Sequence, residues 1–90
     1  MKYNLGDRVE VVRKKFSIIA DLIGLTGKII KIRTIPETEY EIKTGEIASY
    51  LIEADNYGPL MNMQHGKKKV YAWKPQDKTY RFPSELDLLQ

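Results

Sequence analysis

The chain contains no cysteine, a single histidine and a single tryptophan. Without thiols there can be no disulfide staple, no thiolate metal site and no cysteine nucleophile. One histidine per chain rules out a multi-histidine metal centre. His65 lies in a glycine-flanked stretch with no carboxylate nearby in sequence to orient it, so it reads as a surface histidine rather than a general base. No run approaches the roughly 18 apolar residues of a membrane span. Met1–Asn4 lacks the apolar segment of a secretion signal, so a cytoplasmic location and no membrane partner are expected. Gly24-Leu25-Thr26-Gly27 lacks the Gly-Lys-Ser/Thr ending of a phosphate loop, and the spacing of Glu37, Glu39, Glu41 and Glu46 fits no calcium loop. Together these gaps predict a protein that is not an enzyme, with no cofactor, no metal and no small-molecule substrate.

What is present fits one small domain spanning residues 1–90, and the Met1 start leads us to expect a free-standing protein. A chain of this size buries roughly 60–65% of the surface its unfolded form exposes, which leaves room for a thin core. The net charge is +3, but its distribution says more. Residues 1–33 carry eight Lys/Arg against three acids, residues 34–57 one against six, and residues 58–90 six against three. An acidic middle therefore lies between two basic ends, and opposite charges paired across solvated strands account for part of it.

The periodicity is that of β-strands. Val9 and Val11 alternate with Arg8 and Glu10 in a strand over Arg8–Val12. Phe16, Ile19 and Ile23 recur at helical spacing behind Ser17, with room for about two turns, which predicts a short helical turn in a long first loop. Gly24 and Gly27 mark a turn with positive φ or a close backbone approach. Lys28–Arg33 is the second strand; because Ile29 and Ile30 are both apolar, it carries a bulge or is buried on both faces. Thr38–Lys43 and Glu46–Ala54 follow as strands. Residues 55–66, punctuated by Asn, Gly and Pro, read as a long loop that either folds back or makes contacts. Val70–Trp73 and Thr79–Phe82 are expected to pair as an antiparallel hairpin, with Pro75 at the second position of a type I turn. Pro83–Leu86 reads as a 3₁₀ turn, and Asp87–Leu89 as a last strand.

Three groups of residues, Gly6, Asp7, Val9 and Val11; Gly24, Gly27, Ile29 and Ile32; and Tyr80, Phe82, Pro83, Leu86 and Leu88, resemble an SH3-like barrel of the KOW type. The resemblance implies an all-β fold: a partly open barrel of five to six strands, with the helical turn and the C-terminal 3₁₀ turn just described. It also implies a module that binds RNA or protein, like the KOW domains of ribosomal proteins and transcription elongation factors, or the small docking subunits of photosynthetic electron-transfer complexes. The Ala-Leu-Tyr-Asp-Tyr segment of proline-peptide-binding SH3 domains has no counterpart here.

Two binding surfaces compete. Protein contact would use Tyr57, Leu60, Met61 and Met63 as adaptable apolar groups and Glu37, Glu39 and Glu41 toward a basic partner. This is the role of an accessory subunit or of a small phage or mobile-element inhibitor of the anti-CRISPR kind. Nucleic acid, most readily RNA or another single strand, would use Lys67, Lys68, Lys69, Lys74 and Arg81 with Tyr71, Trp73 and Tyr80 as stacking platforms, extended by Arg8, Arg13, Lys14, Lys15, Lys28 and Lys31. If Trp73 and Tyr80 lie in the core instead, that platform is lost. The acidic middle favours the protein partner, because carboxylates beside a groove repel phosphate.

Overall fold

A computed structural model describes residues 2–13, 22–35, 46–62 and 68–89. The described part is all-β. β1 (Arg8–Val11), β2 (Thr26–Thr34), β3 (Ile47–Ala54), β6 (Lys78–Arg81) and β7 (Leu86–Leu88) form one antiparallel sheet in the order β6-β3-β2-β1-β7. A 3₁₀ turn at Pro83–Glu85 joins the two edge strands. Between β3 and β6 the chain leaves the sheet to make a separate two-stranded ribbon of β4 (Leu60–Asn62) and β5 (Lys69–Tyr71). No helix among the described residues is long and apolar enough to cross a membrane.

The period-2 pattern decides which face is buried. Val9, Val11, Ile29, Tyr50, Ile52, Ala54 and Leu86 point to one side of the sheet, and Tyr3, Leu25 and Trp73 close over them to complete the core. Tyr3 locks the N-terminal segment in place. Its amide donates to the Tyr50 hydroxyl (2.9 Å), its own hydroxyl donates to the Leu86 carbonyl (3.0 Å), and the two rings meet edge-on at 5.4 Å. Burial, reinforced by the nearby Asp87 carboxylate, pushes the Tyr3 phenol above its ordinary pKa.

Of the two alternatives at Ile29-Ile30, the structure has the bulge, a register shift between Ile29 and Lys31. It keeps Ile29 opposite Ile52 on the core side while Lys31 faces outward opposite Leu51. Of the glycines, Gly24 has the anticipated positive φ (98°) and Gly27 the close approach: a Cβ there would overlap the Glu53 carbonyl. The 3₁₀ turn forms as expected. The buried Glu85 carboxylate accepts from the Phe82 amide (2.8 Å) and lies 3.6 Å from Arg81.

Three expectations change. Leu60–Asn62 is a strand, not part of a featureless loop. Val70–Trp73 and Thr79–Phe82 do not pair with each other: β5 takes β4, and β6 takes β3. Trp73, between β5 and β6, is buried in the core. The Lys74–Asp77 turn has Asp77 N donating to the Lys74 carbonyl (3.1 Å) with Gln76 at φ 75°, a type II rather than a type I geometry. The expected helical turn over residues 16–23 falls mainly on residues 14–21, and the strand Thr38–Lys43 entirely on residues 36–45, both outside the described residues.

Candidate functional site

The ribbon is anchored at its root by one amide side chain. Asn56 accepts hydrogen bonds through Oδ1 from the Thr26 amide (3.1 Å) and Trp73 Nε1 (3.2 Å), and donates from Nδ2 to the Gly24 carbonyl (3.2 Å). This ties the start of β2, the exit from β3 and the indole together. Next door, Gly58 lies directly against the Trp73 ring, so closely that a Cβ would overlap its atoms. Gly58 N donates to the Trp73 carbonyl (3.0 Å) and Ala72 N to the Pro59 carbonyl (2.9 Å), extending the pairing of β4 and β5 to the ribbon's base. Asp55, the residue before Asn56, accepts from the Arg8 guanidinium and the Thr26 hydroxyl.

Beyond this root the ribbon shows apolar groups to solvent. Tyr57 is 60% exposed, Leu60 53%, Tyr71 43% and Met61 42%. Leu60 lies opposite Tyr71, and Met61 opposite Val70, so the two sides of the ribbon each carry a large exposed group. The Tyr57 and Tyr71 rings pack with their centroids 4.7 Å apart. That contact makes a rigid two-ring unit in place of two independent side chains. Lys68, Lys69 and Lys74 flank it and are exposed. Between Asp55 and Asp77 the sequence has four lysines and no acid.

Of the residues read as protein-binding, the structure places Tyr57, Leu60 and Met61 on or beside one ribbon and sets Tyr71, which had been assigned to nucleic acid, against Tyr57 and opposite Leu60, with Met61 on the ribbon's other face. Met63, Glu37, Glu39 and Glu41 lie outside the described residues, as do Lys14, Lys15 and Lys67. The nucleic-acid set does not assemble as one group. Arg13 engages the C-terminal turn, donating through Nε to the Ser84 carbonyl (2.8 Å) with Asp87 3.9 Å away. Trp73 is 4% exposed, its indole N–H taken by Asn56, and no base can stack on it as placed. Tyr80 lies outside the core, 37% exposed on the far side of the sheet.

Asn56 was missed by sequence reasoning, since one Asn in a turn-rich stretch has no periodicity to mark its three long-range bonds. Lys78 and Arg33 were missed as members of a group because they become neighbours only through pairing with β3. Comparison with family models, with curated proteins and with solved structures gave no match to the chain.

Proposed function

We propose that the chain is a non-enzymatic binding module of SH3-like architecture that docks on another protein through the β4–β5 ribbon. It would serve as an accessory subunit of a larger assembly, or as a small inhibitor of the phage or mobile-element type. The architectural part is supported by the sheet order β6-β3-β2-β1-β7 with a 3₁₀ turn linking the edge strands, the connectivity that SH3-like barrels use. Among the described residues the sheet is not closed into a barrel, and in that reading the ribbon is an insertion between its third and fourth strands in chain order.

The observation that carries the docking role is the anchored apolar ribbon itself. Four large groups, Tyr57, Leu60, Met61 and Tyr71, stay exposed in a chain whose core is small and has every use for apolar side chains. Tyrosine and methionine are suited to contact surfaces, one rigid and amphipathic, the other adaptable. The acid-free, lysine-bearing surroundings fit a partner whose apolar cleft is rimmed by carboxylates. This is the reverse of the basic partner that the acidic middle segment implied.

Photocrosslinking in the source cell tests the reading. A benzoylphenylalanine at Tyr71 should give one discrete protein adduct that survives nuclease treatment and disappears with Met61→Asp. The same probe at Lys31, on the sheet, should not give that adduct. Identical adducts from both positions, or nucleic acid as the sole adduct at Tyr71, would overturn it.

A further inference from the structure

The face of the sheet turned away from the core carries a second grouping that no single stretch of sequence displays. Because the strands are paired in register, outward-pointing residues form rows across β2, β3 and β6. One row is Lys28, Glu53, Lys78; the next is Lys31, Leu51, Tyr80; the third begins Arg33, Ser49. Neighbouring strands lie about 4.8 Å apart and successive same-face residues about 6.7 Å apart, so these side chains occupy one continuous surface. Lys28, Lys31, Arg33 and Lys78 are all exposed, and none makes an ion pair among the described residues. Glu53 is the one carboxylate that these paired rows place on the face.

An aromatic ring sits among these cations. The Arg33 guanidinium carbon lies 5.0 Å from the centroid of the Tyr80 ring, reaching across β3 at the small residue Ser49. This cation–π contact holds a flat guanidinium over a flat phenol, both on an exposed face. Exposed Tyr rings and Arg guanidinium groups are both surfaces on which nucleobases stack, and lysines beside them neutralise the phosphates on each side.

We infer that this outer face, centred on Lys31, Arg33 and Tyr80, binds a single strand of nucleic acid. It is separate from the ribbon and uses none of its residues. The alternatives differ in a way the face itself discriminates. An acidic peptide needs the cations but gains nothing from the Arg33–Tyr80 stack, whereas a base needs both.

The test uses the full chain, freed of co-purified nucleic acid, and fluorescein-labelled oligo-dT and oligo-U read by anisotropy. With four cations engaged, log affinity should fall against log salt with a slope of about −3, and Lys31→Gln/Arg33→Gln should roughly halve that slope. Tyr80→Ala should weaken binding about tenfold or more, and Tyr80→Phe should retain it. Ribbon variants such as Met61→Asp should leave the affinity unchanged, so failure here is distinguishable from failure of the docking role. All substitutions are at exposed positions, and a matching thermal melt confirms that each variant is folded. No binding at low salt would overturn the inference. So would an affinity indifferent to Lys31→Gln/Arg33→Gln, or a poly-glutamate competitor that displaces the oligonucleotide equally well from wild type and Tyr80→Ala.

Discussion

Replacing Gly58 with alanine adds one methyl group where the ring of Trp73 already stands. The backbone at Gly58 is not in the left-handed region, so alanine meets no conformational penalty there and the whole effect is steric. Ring atoms of Trp73 lie within 3 Å of the position the Cβ would take, closer than real Cβ contacts come. The ring cannot swing aside cheaply, because it is buried and its N–H is bonded to Asn56. Overpacking a site of this kind costs about 1–3 kcal/mol. For a small domain losing about 1–3 kcal/mol per molar urea, that moves the unfolding midpoint down by about 1 M. Trp73 is the chain's only tryptophan, so its fluorescence reports on this contact without labelling. We expect a lower midpoint and a red-shifted native emission as the indole is pushed toward water. Trp73→Leu in the Gly58→Ala background should add less destabilisation than Trp73→Leu alone, because the smaller side chain relieves the overlap. A stability unchanged within about 0.5 kcal/mol, with unshifted emission, would refute the close packing of Gly58 against the Trp73 ring.

Two further outcomes follow from the same geometry. Asn56→Ala removes the partner of two N–H donors and one carbonyl and should destabilise the fold by about 1–3 kcal/mol in urea titration. Asn56→Asp keeps the acceptor but sets a carboxylate oxygen against the Gly24 carbonyl, so it should not restore the wild-type stability. Tyr3 gives a pH signature. Its phenol has a raised pKa in the folded state, so the neutral form is favoured by folding. The stability it contributes is complete below the unfolded value near 10 and is lost as pH rises through the folded value. Thermal melts across that alkaline window should fall more steeply for wild type than for Tyr3→Phe. Parallel curves would show that the Tyr3 hydroxyl is not held neutral by burial.

How much of this was readable beforehand depends on the range of the interaction. Arg8–Val11 was legible because its period-2 burial is written locally, whereas Lys78–Arg81 was legible as a strand but not in its facing: Thr79 and Arg81 are half-buried and Tyr80 is exposed. That β2 departs from strict alternation was legible in its two adjacent isoleucines, but whether by a bulge or by burial on both faces was settled only by its register with β3. The ribbon was not legible. Leu60-Met61-Asn62 is three residues long, and its strand character comes from pairing with Lys69–Tyr71 and from Trp73 fixing its root. Val70–Trp73 looked like a partner for Thr79–Phe82 because both are aromatic and near in sequence. Local appearance could not reveal that β3 already had an open edge for β6 to fill. The outer cationic face was legible only in part: Lys28, Lys31 and Tyr80 stood out as basic and aromatic candidates, but their grouping with Arg33 and Lys78 did not. Its members lie far apart in sequence, on β2 and β6, and meet only across β3.

The way β3 joins β6 bears on why two surfaces can coexist on so small a core. Ala54 N donates to the Asp77 carbonyl (2.8 Å), and Gln76 N donates back to the Ala54 carbonyl (2.7 Å). These two bonds bring the end of β3 and the entry to β6 together directly, so the intervening excursion begins and ends at nearly the same place. Lengthening a loop whose ends are already clamped costs little, about 0.6 kcal/mol for each doubling. The excursion returns one large residue to the core, Trp73, and through Asn56 it also holds the turn at Gly24 that opens β2. It is therefore a graft that helps to hold its own foundation, and its outer half is left free of packing duty. Tyr57, Leu60, Met61 and Tyr71 can stay exposed without weakening the sheet, while the outer face depends only on the β2–β3–β6 register. On the proposed docking role, substitutions in the ribbon's outer half should alter docking and leave the sheet's charge rows in place. Substitutions at Asn56, Gly58 or Trp73 should disturb both.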